Sequence, residues 1–197
     1  MSPEPIDKSA LRRPLAVPAG TIERENFFVL SGCSGGGKST LIEGLARQGF
    51  RVVPEPGRQI VQEQRAIEGH ALPGRNLELF LQLALSRYMH SFLQAMESDQ
   101  PVFFDRSVVD AMQPHHGKDS PFYRAASKFR YHRRVFLLPP WQAIYRNDSE
   151  RQHSFEDAVS EYEHLKRHYQ DFGYKIELVP KVSVEERVRF ITQRISP

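Results

Sequence analysis

Short apolar runs alternate with longer amphipathic stretches along most of the chain, and this pattern predicts strands followed by helices. The predicted strands are residues 27–31, 51–54, 102–104, 134–138 and 175–179. The predicted helices are residues 39–48, 57–68, 77–97, 121–130, 155–172 and 184–195, with a short helical turn at 141–145. Short strands separated by helices are typical of a parallel sheet covered on both faces. We therefore predict an α/β three-layer sandwich whose five strands lie in the order second, third, first, fourth, fifth.

The first 24 residues do not share this pattern. Prolines stand at positions 3, 5, 14 and 18, and neither a helical nor a strand period is visible. We therefore expect residues 1–24 to be a flexible leader and residues 25–197 to form one domain.

Composition narrows the class of protein. Hydrophobic residues make up 40% and charged residues 26% of the chain, which is ordinary for a globular domain. No apolar run approaches the roughly 20 residues that span a bilayer, and a single cysteine, Cys33, excludes an intramolecular disulfide. We therefore expect a cytoplasmic protein without a membrane partner. Scattered basic residues and a net charge of +3 do not favour nucleic acid as a partner.

One glycine-rich stretch carries the clearest chemical signal. Residues 32–39 read GCSGGGKS and match G-x-x-x-x-G-K-[ST] at every fixed position, between a predicted strand and a predicted helix. Glycines let backbone N–H groups surround a phosphate, and the helix N-terminus adds positive charge. Lys38 is expected to reach the β- and γ-phosphates of a nucleotide, while the Ser39 hydroxyl ligates Mg²⁺. The predicted nucleotide-binding residues are Gly32, Ser34, Gly35, Gly36, Gly37, Lys38, Ser39 and Thr40.

Two acidic residues follow predicted strands, which is where ligands bind in an open parallel sheet. Glu55 follows the second strand in PEPGR, and Asp105 follows the third strand in DRS. A hydroxyl that attacks a γ-phosphate needs a carboxylate to accept its proton, and Mg²⁺ needs one to hold it or its waters. Each residue also has a purely structural interpretation, Glu55 as an exposed loop residue and Asp105 as a helix N-cap.

Arginines lie close to these carboxylates and in one polar insertion. Arg58 and Arg106 each follow a carboxylate, and Arg146 and Arg151 lie in the turn-rich segment YRNDSERQHS. Guanidinium groups on a mobile loop can close over the charge that spreads across a transferring phosphoryl group. We therefore predict a lid at about residues 146–154, with an ordinary charged surface loop as the alternative.

Two further features give weaker signals. Adjacent histidines, His115 and His116, could ligate a metal, but adjacent loop histidines are more often plain surface residues. Trp141 follows two prolines and is more typical of a packing anchor than of a platform for a nucleotide base.

These motifs together resemble the P-loop nucleoside and nucleotide kinases. VVPEP resembles the second-strand motif of deoxynucleoside kinases, and this resemblance implies that Glu55 is the catalytic base. DRS at 105–107 resembles their third-strand motif and the Asp-Arg pair of thymidylate kinases. The segment LLPPWQAIYRNDSERQHSFEDA most closely resembles a bacterial P-loop family of AAA-like ATPases, which is similar to the nicotinamide riboside kinases. The resemblance covers about residues 26–195 and implies the P-loop NTPase fold.

The motifs favour a kinase over a mechanical ATPase. FFDRS has an arginine where a hydrolase would place a second acid, and we recognise no second AAA subdomain within these 197 residues. In the expected kinase, ATP and Mg²⁺ lie on residues 32–40, with Arg146 among the nucleotide-binding residues and Asp105 beside Ser39 as a metal ligand. Lys38 and either Arg106 or Arg151 neutralise the γ-phosphate.

The expected acceptor is a small molecule that offers a hydroxyl or phosphate, such as a nucleoside or nucleotide. It would lie between residues 55–65, 76–90 and 106–125, where Glu55, Arg58 and Arg106 bind it and Glu55 or Asp105 deprotonates it. A regulatory nucleotide switch that acts through a partner is the alternative function, followed by a nucleic-acid-end kinase. The lack of an Asn-Lys-x-Asp motif favours ATP over GTP, and the sequence leaves the oligomeric state open, a homodimer included.

Overall fold

The computed structural model describes residues 15–33, 35–145 and 154–195. Within these residues the strands are β1 (Ile22–Glu23), β2 (Phe27–Gly32), β3 (Arg51–Val53), β4 (Val102–Asp105), β5 (Phe129–Arg130), β6 (Arg134–Leu138) and β7 (Lys175–Leu178). The α-helices are α1 (Lys38–Arg47), α2 (Gly57–Ala66), α3 (Leu77–Ala95), α4 (Pro121–Lys128), α5 (Phe155–Asp171) and α6 (Val184–Ile195). Short 3₁₀ helices lie at Val108–Ala111 and Gln142–Ile144.

One parallel sheet organises the chain, with its strands in the order β3-β4-β2-β6-β7. In this register Phe28 lies opposite Phe103, and Leu30 lies opposite Phe136. These strands are the five that the hydrophobic pattern predicts, in the predicted order and all parallel. The predicted α/β fold is therefore confirmed.

Two hydrophobic cores cover the two faces of the sheet. Every residue of β2 is buried, and its side chains alternate between the faces. Phe27 and Val29 pack in one core with α3, whereas Phe28 and Leu30 pack in the other with α1 and α6. This arrangement explains why the strands read as continuous apolar runs and the helices read as amphipathic. Within the described parts of the chain, no helix combines the length and the apolar character needed to cross a membrane.

Two very short strands were not predicted as strands from the sequence. β1 pairs in parallel with β5, so that Ile22 lies opposite Phe129. β5 takes the last two residues of the helix predicted at 121–130, and α4 therefore ends at Lys128. β1 lies within residues 15–24 of the predicted leader, and its Ile22 is buried. A two-residue strand has no period that a sequence pattern could reveal.

The first glycine of the glycine-rich stretch is required by the sheet. Gly32 ends β2 and lies opposite Leu138 of β6. Its backbone has φ +135°, and an added Cβ would overlap the Leu138 carbonyl oxygen. Any other residue would push β2 and β6 apart at the point where the following loop begins.

Replacing Gly32 by Ala is therefore expected to destabilise the fold more than the same change at Gly49. Gly49 also has a positive φ, +87°, but an added Cβ there meets no atom within 4 Å. Gly49→Ala should cost only the left-handed backbone penalty, about 1–2 kcal/mol. Gly32→Ala should add a steric cost of about 1–3 kcal/mol. Urea unfolding of both variants measures the difference, and equal losses would contradict the packing argument.

Candidate active site

The loop after β2 adopts a backbone that depends on glycine. Gly35 and Gly37 have φ values of +80° and +79°, a region that residues with a Cβ rarely adopt. Gly37 is the N-cap of α1 and has no side chain with which to cap it. The first N–H groups of α1 therefore face the loop without a side-chain acceptor from the cap, which is the arrangement that binds phosphate at a helix N-terminus.

Side chains from distant parts of the chain pack closely around this loop. An added Cβ at Gly35 would lie 2.7 Å from a ring carbon of Tyr145, and one at Gly37 would lie 2.8 Å from Nη1 of Arg187. Arg187 also donates to the Gly37 carbonyl oxygen at 3.3 Å. At Gly36 a Cβ would make only ordinary contacts at 3.6 Å. The middle glycine is therefore the one that packing requires least.

Lys38 is buried at the start of α1. Its ammonium group donates to the carbonyl oxygens of Gly32 at 2.9 Å and Cys33 at 3.0 Å. Burial lowers the pKa of Lys38, and Arg106 lowers it further, while Asp105 opposes the shift. The lysine is therefore held inside the loop, with its charge poorly compensated.

The next two residues expose their hydroxyl groups on the first turn of α1. Ser39 and Thr40 both line the cleft beside the loop. Thr40 donates its hydroxyl to the Gly37 carbonyl oxygen at 3.0 Å. The Ser39 hydroxyl is the one that the motif predicts as a ligand for Mg²⁺.

The two predicted carboxylates lie at the ends of neighbouring strands and line the same cleft. Asp105 ends β4, and its buried Oδ1 has no hydrogen-bond partner among the described residues. Burial raises the pKa of Asp105, although Lys38 and Arg106 oppose the shift. A buried, unpaired carboxylate oxygen beside a phosphate-binding loop fits a divalent cation.

Glu55 follows β3 and is held by the helix after it. Its Oε1 accepts a hydrogen bond of 2.8 Å from the backbone N–H of Gly57, the first residue of α2. A Cβ at position 57 would overlap that oxygen, so glycine at this position lets the carboxylate reach the helix N-terminus. The helix therefore positions Glu55 in the cleft.

Arg106 follows Asp105 with a strained backbone, φ +68° in a residue that is not glycine. Its guanidinium donates to Glu161 at 3.0 Å and to Asp110 at 3.5 Å. Arg106 lines the cleft, as does Arg58 on the first turn of α2. Strain of this kind costs about 1–3 kcal/mol and occurs most often at functional positions.

A buried hydrogen-bond network, which was not predicted from the sequence, supports this segment. Asp110 accepts hydrogen bonds from the Ser31 hydroxyl at 2.5 Å, from the Ser107 backbone N–H at 2.9 Å and from the Tyr169 hydroxyl. It thereby connects β2, the segment after β4 and α5. The spacing of Ser107 and Asp110, S-x-x-D, is a capping-box signal that could have found the pair.

One cleft of about 1020 Å³ is lined by Lys38, Ser39, Glu55, Asp105 and Arg106. The loop after β2 lies at its centre because β2 is the middle strand of the sheet. On the β3 side the lining includes Glu55, residues of α2 and the loop at 72–75. On the β7 side it includes Trp141, Ile144 and residues 182–184 and 187. Glu55 and the Trp141 side chain therefore lie on opposite sides of the glycine-rich loop.

Trp141 is part of the cleft rather than only a packing residue. Its ring lies 5.6 Å from the Arg187 guanidinium carbon and lines the cleft together with Ile144. Arg187 itself is buried, and its Nε lacks a hydrogen-bond partner among the described residues. No local signal marks Arg187 in the sequence, because it lies 150 residues from the loop that it contacts.

Several predicted site residues lie outside the described residues. These are Ser34 in the glycine-rich loop, Arg146 and Arg151, and with them most of the predicted lid at 146–154. Their assigned roles stay predictions.

The adjacent histidines form a hydrogen-bonded cluster with Glu78. The ligand atoms of Glu78, His115 and His116 lie within 4.8 Å of one another. His116, however, accepts the Gln113 backbone N–H at Nδ1, 3.1 Å, so its proton lies on Nε2, 3.0 Å from Glu78. This tautomer leaves neutral His116 without a lone pair for a metal, and the hydrogen bond lowers the pKa of Glu78. The contacts therefore favour a structural hydrogen-bonded cluster over a metal site.

The fold and the glycine-rich loop define a P-loop nucleotide-binding protein. The family model described as AAA domain matches residues 27–187, and the chain belongs to that family. Among solved structures, deoxyadenosine kinase from M. mycoides with bound dATP is 14% identical, with a TM-score of 0.64 over 86% of this chain and 98% of that one. NadR protein in complex with NR is 15% identical, with a TM-score of 0.64 over 85% of this chain and 50% of that one. At these identities the similarity concerns the fold, and a search of curated protein sequences gives no significant match.

Replacing Asp105 by Asn is expected to change how stability depends on pH. Because burial raises its pKa, folded Asp105 holds its proton at pH values where the unfolded chain has lost it. The wild type therefore loses stability as pH rises from the usual carboxyl pKa, about 4, through the raised value. Asn does not titrate, so the variant does not lose this stability. Its free energy of unfolding, relative to that of the wild type, should therefore rise with pH across this window. Urea unfolding at several pH values measures the gain, and a constant difference would contradict it.

Proposed function

We propose that this protein is an ATP-dependent phosphotransferase that transfers the γ-phosphoryl group to a hydroxyl of a small molecule. The observation that carries the proposal is the pair of carboxylates, Glu55 and Asp105, at neighbouring strand ends in the same cleft as the P-loop. A protein that only binds and releases nucleotide has no need of a second carboxylate on the side of the cleft away from the nucleotide base. The name of one structural neighbour, deoxyadenosine kinase from M. mycoides, agrees with this proposal.

The nucleotide would occupy the P-loop and the β7 side of the cleft. The N–H groups at the start of α1 would bind its phosphates, and Lys38 would exchange its two carbonyl acceptors for phosphate oxygens. The base would lie against Trp141, whose ring offers a stacking surface in the cleft. Arg146 on the predicted lid is a further proposed contact.

Magnesium would be held by Ser39 and Asp105, which fit it because a hydroxyl and an unpaired buried carboxylate oxygen are both ligands for this cation. When bound, Mg²⁺ would neutralise charge on the phosphates. Arg106 and, from the lid, Arg151 would add positive charge at the γ-phosphate.

The acceptor would occupy the β3 side, where Arg58 and Arg106 would contact it. Glu55 would accept the proton of the acceptor hydroxyl while the oxygen of that hydroxyl bonds to the γ-phosphorus. The bond between the γ-phosphorus and the bridging oxygen then breaks, and ADP leaves with the electron pair. A phosphate acceptor is already ionised at neutral pH and needs no base, so the carboxylate favours a hydroxyl.

Lys38→Ala is expected to weaken binding of Mg²⁺-ATP by about 10- to 100-fold, since a charged hydrogen bond contributes about 1.5–3 kcal/mol. The fold should survive, because Lys38 is buried with its charge poorly compensated. Isothermal titration measures the affinity and thermal unfolding the fold. Lys118→Ala, at an exposed position outside the cleft, is the control. Unchanged affinity in a folded Lys38→Ala protein would remove the whole site proposal.

Glu55→Gln is expected to slow phosphoryl transfer by about 10²–10⁴-fold, the usual contribution of a general base, with nucleotide affinity unchanged. Single-turnover transfer from radiolabelled ATP to a panel of nucleosides, nucleotides and sugars measures the chemical step. Asp105→Asn should instead slow phosphoryl transfer and also remove the dependence of its rate on Mg²⁺.

A rate for Glu55→Gln within about threefold of wild type, well below the general-base range, would move the role of base to Asp105. If no compound in the panel is phosphorylated, and if slow ATP hydrolysis has the same rate in Glu55→Gln as in wild type, a regulatory nucleotide switch would be favoured instead.

A further inference from the structure

The β3 side of the cleft contains two arginines that the proposed phosphoryl transfer does not use. Arg65 lies near the end of α2, and Arg75 lies in the loop between α2 and α3. Both line the same cleft as Glu55 and Asp105. Their position beyond the carboxylates suggests a role in binding the far end of the acceptor.

One face of α2 presents two arginines on this side of the cleft. Arg58, Val61 and Arg65 all line the cleft, and their spacing of three and four residues places them on one helix face. Arg65 lies seven positions after Arg58, which corresponds to about 10 Å along the helix axis. Arg58 lies beside the Glu55 end of the helix, so Arg65 marks the opposite end of the acceptor half.

The loop that carries Arg75 is held to α2 by several hydrogen bonds. The Gln64 side chain accepts the backbone N–H of Ala71 at 3.1 Å, and Ala71 is buried. The Leu72 carbonyl oxygen accepts the N–H groups of Arg75 at 3.0 Å and Asn76 at 2.9 Å. The backbone that places Arg75 in the cleft is therefore fixed by its own turn and by α2.

Neither Arg65 nor Arg75 makes an ion pair or side-chain hydrogen bond within the described parts of the chain. Glu63, an acid elsewhere on α2, pairs with Arg87 at 2.9 Å. On the β3 side of the cleft the described acidic lining residues are Glu55 and Asp105, both near the P-loop. The far end of the acceptor half thus has positive charge and no acid of its own to balance it.

The same part of the cleft is poor in groups that recognise a neutral polar molecule. Among the described lining residues there is no Asn or Gln side chain to read the hydrogen-bonding edge of a base. The other lining residues on this side include Val61, Leu72, Pro73 and Phe80, which offer apolar contact. Two guanidinium groups beside an apolar wall suit a phosphorylated molecule, because guanidinium binds phosphate through paired N–H donors.

We propose that the acceptor carries a phosphate group of its own, bound by Arg65 and Arg75, in addition to the hydroxyl that Glu55 activates. This inference rests on the proposed phosphotransferase function and names its substrate class as a phosphorylated hydroxy compound, such as a sugar phosphate or a nucleoside monophosphate with a free sugar hydroxyl. The phosphate would lie at the far end of the cleft, and the reacting hydroxyl would lie at the P-loop end.

Matched pairs of compounds test the proposal directly. Ribose is compared with ribose 5-phosphate, and several nucleosides are compared with their 5′-monophosphates. Binding is measured by isothermal titration on protein saturated with Mg²⁺ and AMP-PNP, so that a nucleotide cannot bind at the ATP site. At least one phosphorylated compound should bind about 100-fold more tightly than its neutral partner, because the neutral partner lacks the charge-assisted hydrogen bonds that the phosphate makes.

Arginine variants locate the phosphate site. Arg65→Ala and Arg75→Ala should each weaken binding of that compound by about 10- to 100-fold and leave the affinity for its neutral partner unchanged. Arg65→Lys should restore part of the loss, because lysine keeps the charge without the paired donors. Arg124→Ala on α4 is the control, since its side chain is 72% exposed and lies outside the cleft. All variants should keep the thermal stability of wild type.

The outcomes separate this proposal from the kinase proposal. Arginine-dependent binding of a phosphorylated compound without phosphoryl transfer would support the phosphate site and contradict the kinase. Transfer to neutral compounds that is insensitive to Arg65→Ala and Arg75→Ala would support the kinase and overturn the phosphate site. Failure of every phosphorylated compound in the panel to bind more tightly than its neutral partner would also overturn it.

Discussion

Strand β2 lies between β4 and β6 and is buried on both faces, and the position of every candidate site group depends on that pairing. Because all strands of the sheet are parallel, their carboxyl ends meet at one edge, where Gly32 and Asp105 end their strands and Glu55 follows β3. The close approach of Gly32 to Leu138 fixes where β2 stops and the P-loop begins. Packing of the sheet, rather than contact with a ligand, therefore sets the starting point of the site.

The site holds charged groups that the fold by itself does not favour. Burial lowers the pKa of Lys38 and raises that of Asp105, which means that both charged forms are poorly solvated where they lie. Arg106 adds a strained backbone next to them. Groups of this kind cluster at functional sites, because the interactions that would relieve them come from a ligand. An anionic nucleotide with a divalent cation would relieve both charges together.

The buried Asp110 network explains how the strained segment is kept in place. Asp110 binds hydroxyl groups from β2 and α5 and a backbone N–H from the turn after β4. Arg106 adds a contact to Asp110 and reaches Glu161 on α5, the helix that follows the predicted lid. A movement of α5 would therefore reach the guanidinium beside Asp105. The two ends of the cleft are in turn separated by the sheet order, which places Trp141 opposite the arginines of α2.

The sequence determined the elements and the phosphate-binding loop, because both are written in local patterns. Apolar runs buried on both faces gave the five strands, and the spacing of glycines, Lys38 and Ser39 marked the loop. Glu55 and Asp105 could be found because strand ends in a parallel sheet share one edge. Only the tertiary structure brought Asp110, Arg187, Arg65 and Arg75 into the site or its support, and only it paired β1 with β5. Those relations join residues far apart in the chain. Packing and charge across the cleft create them, and such contacts leave no periodic pattern along the sequence.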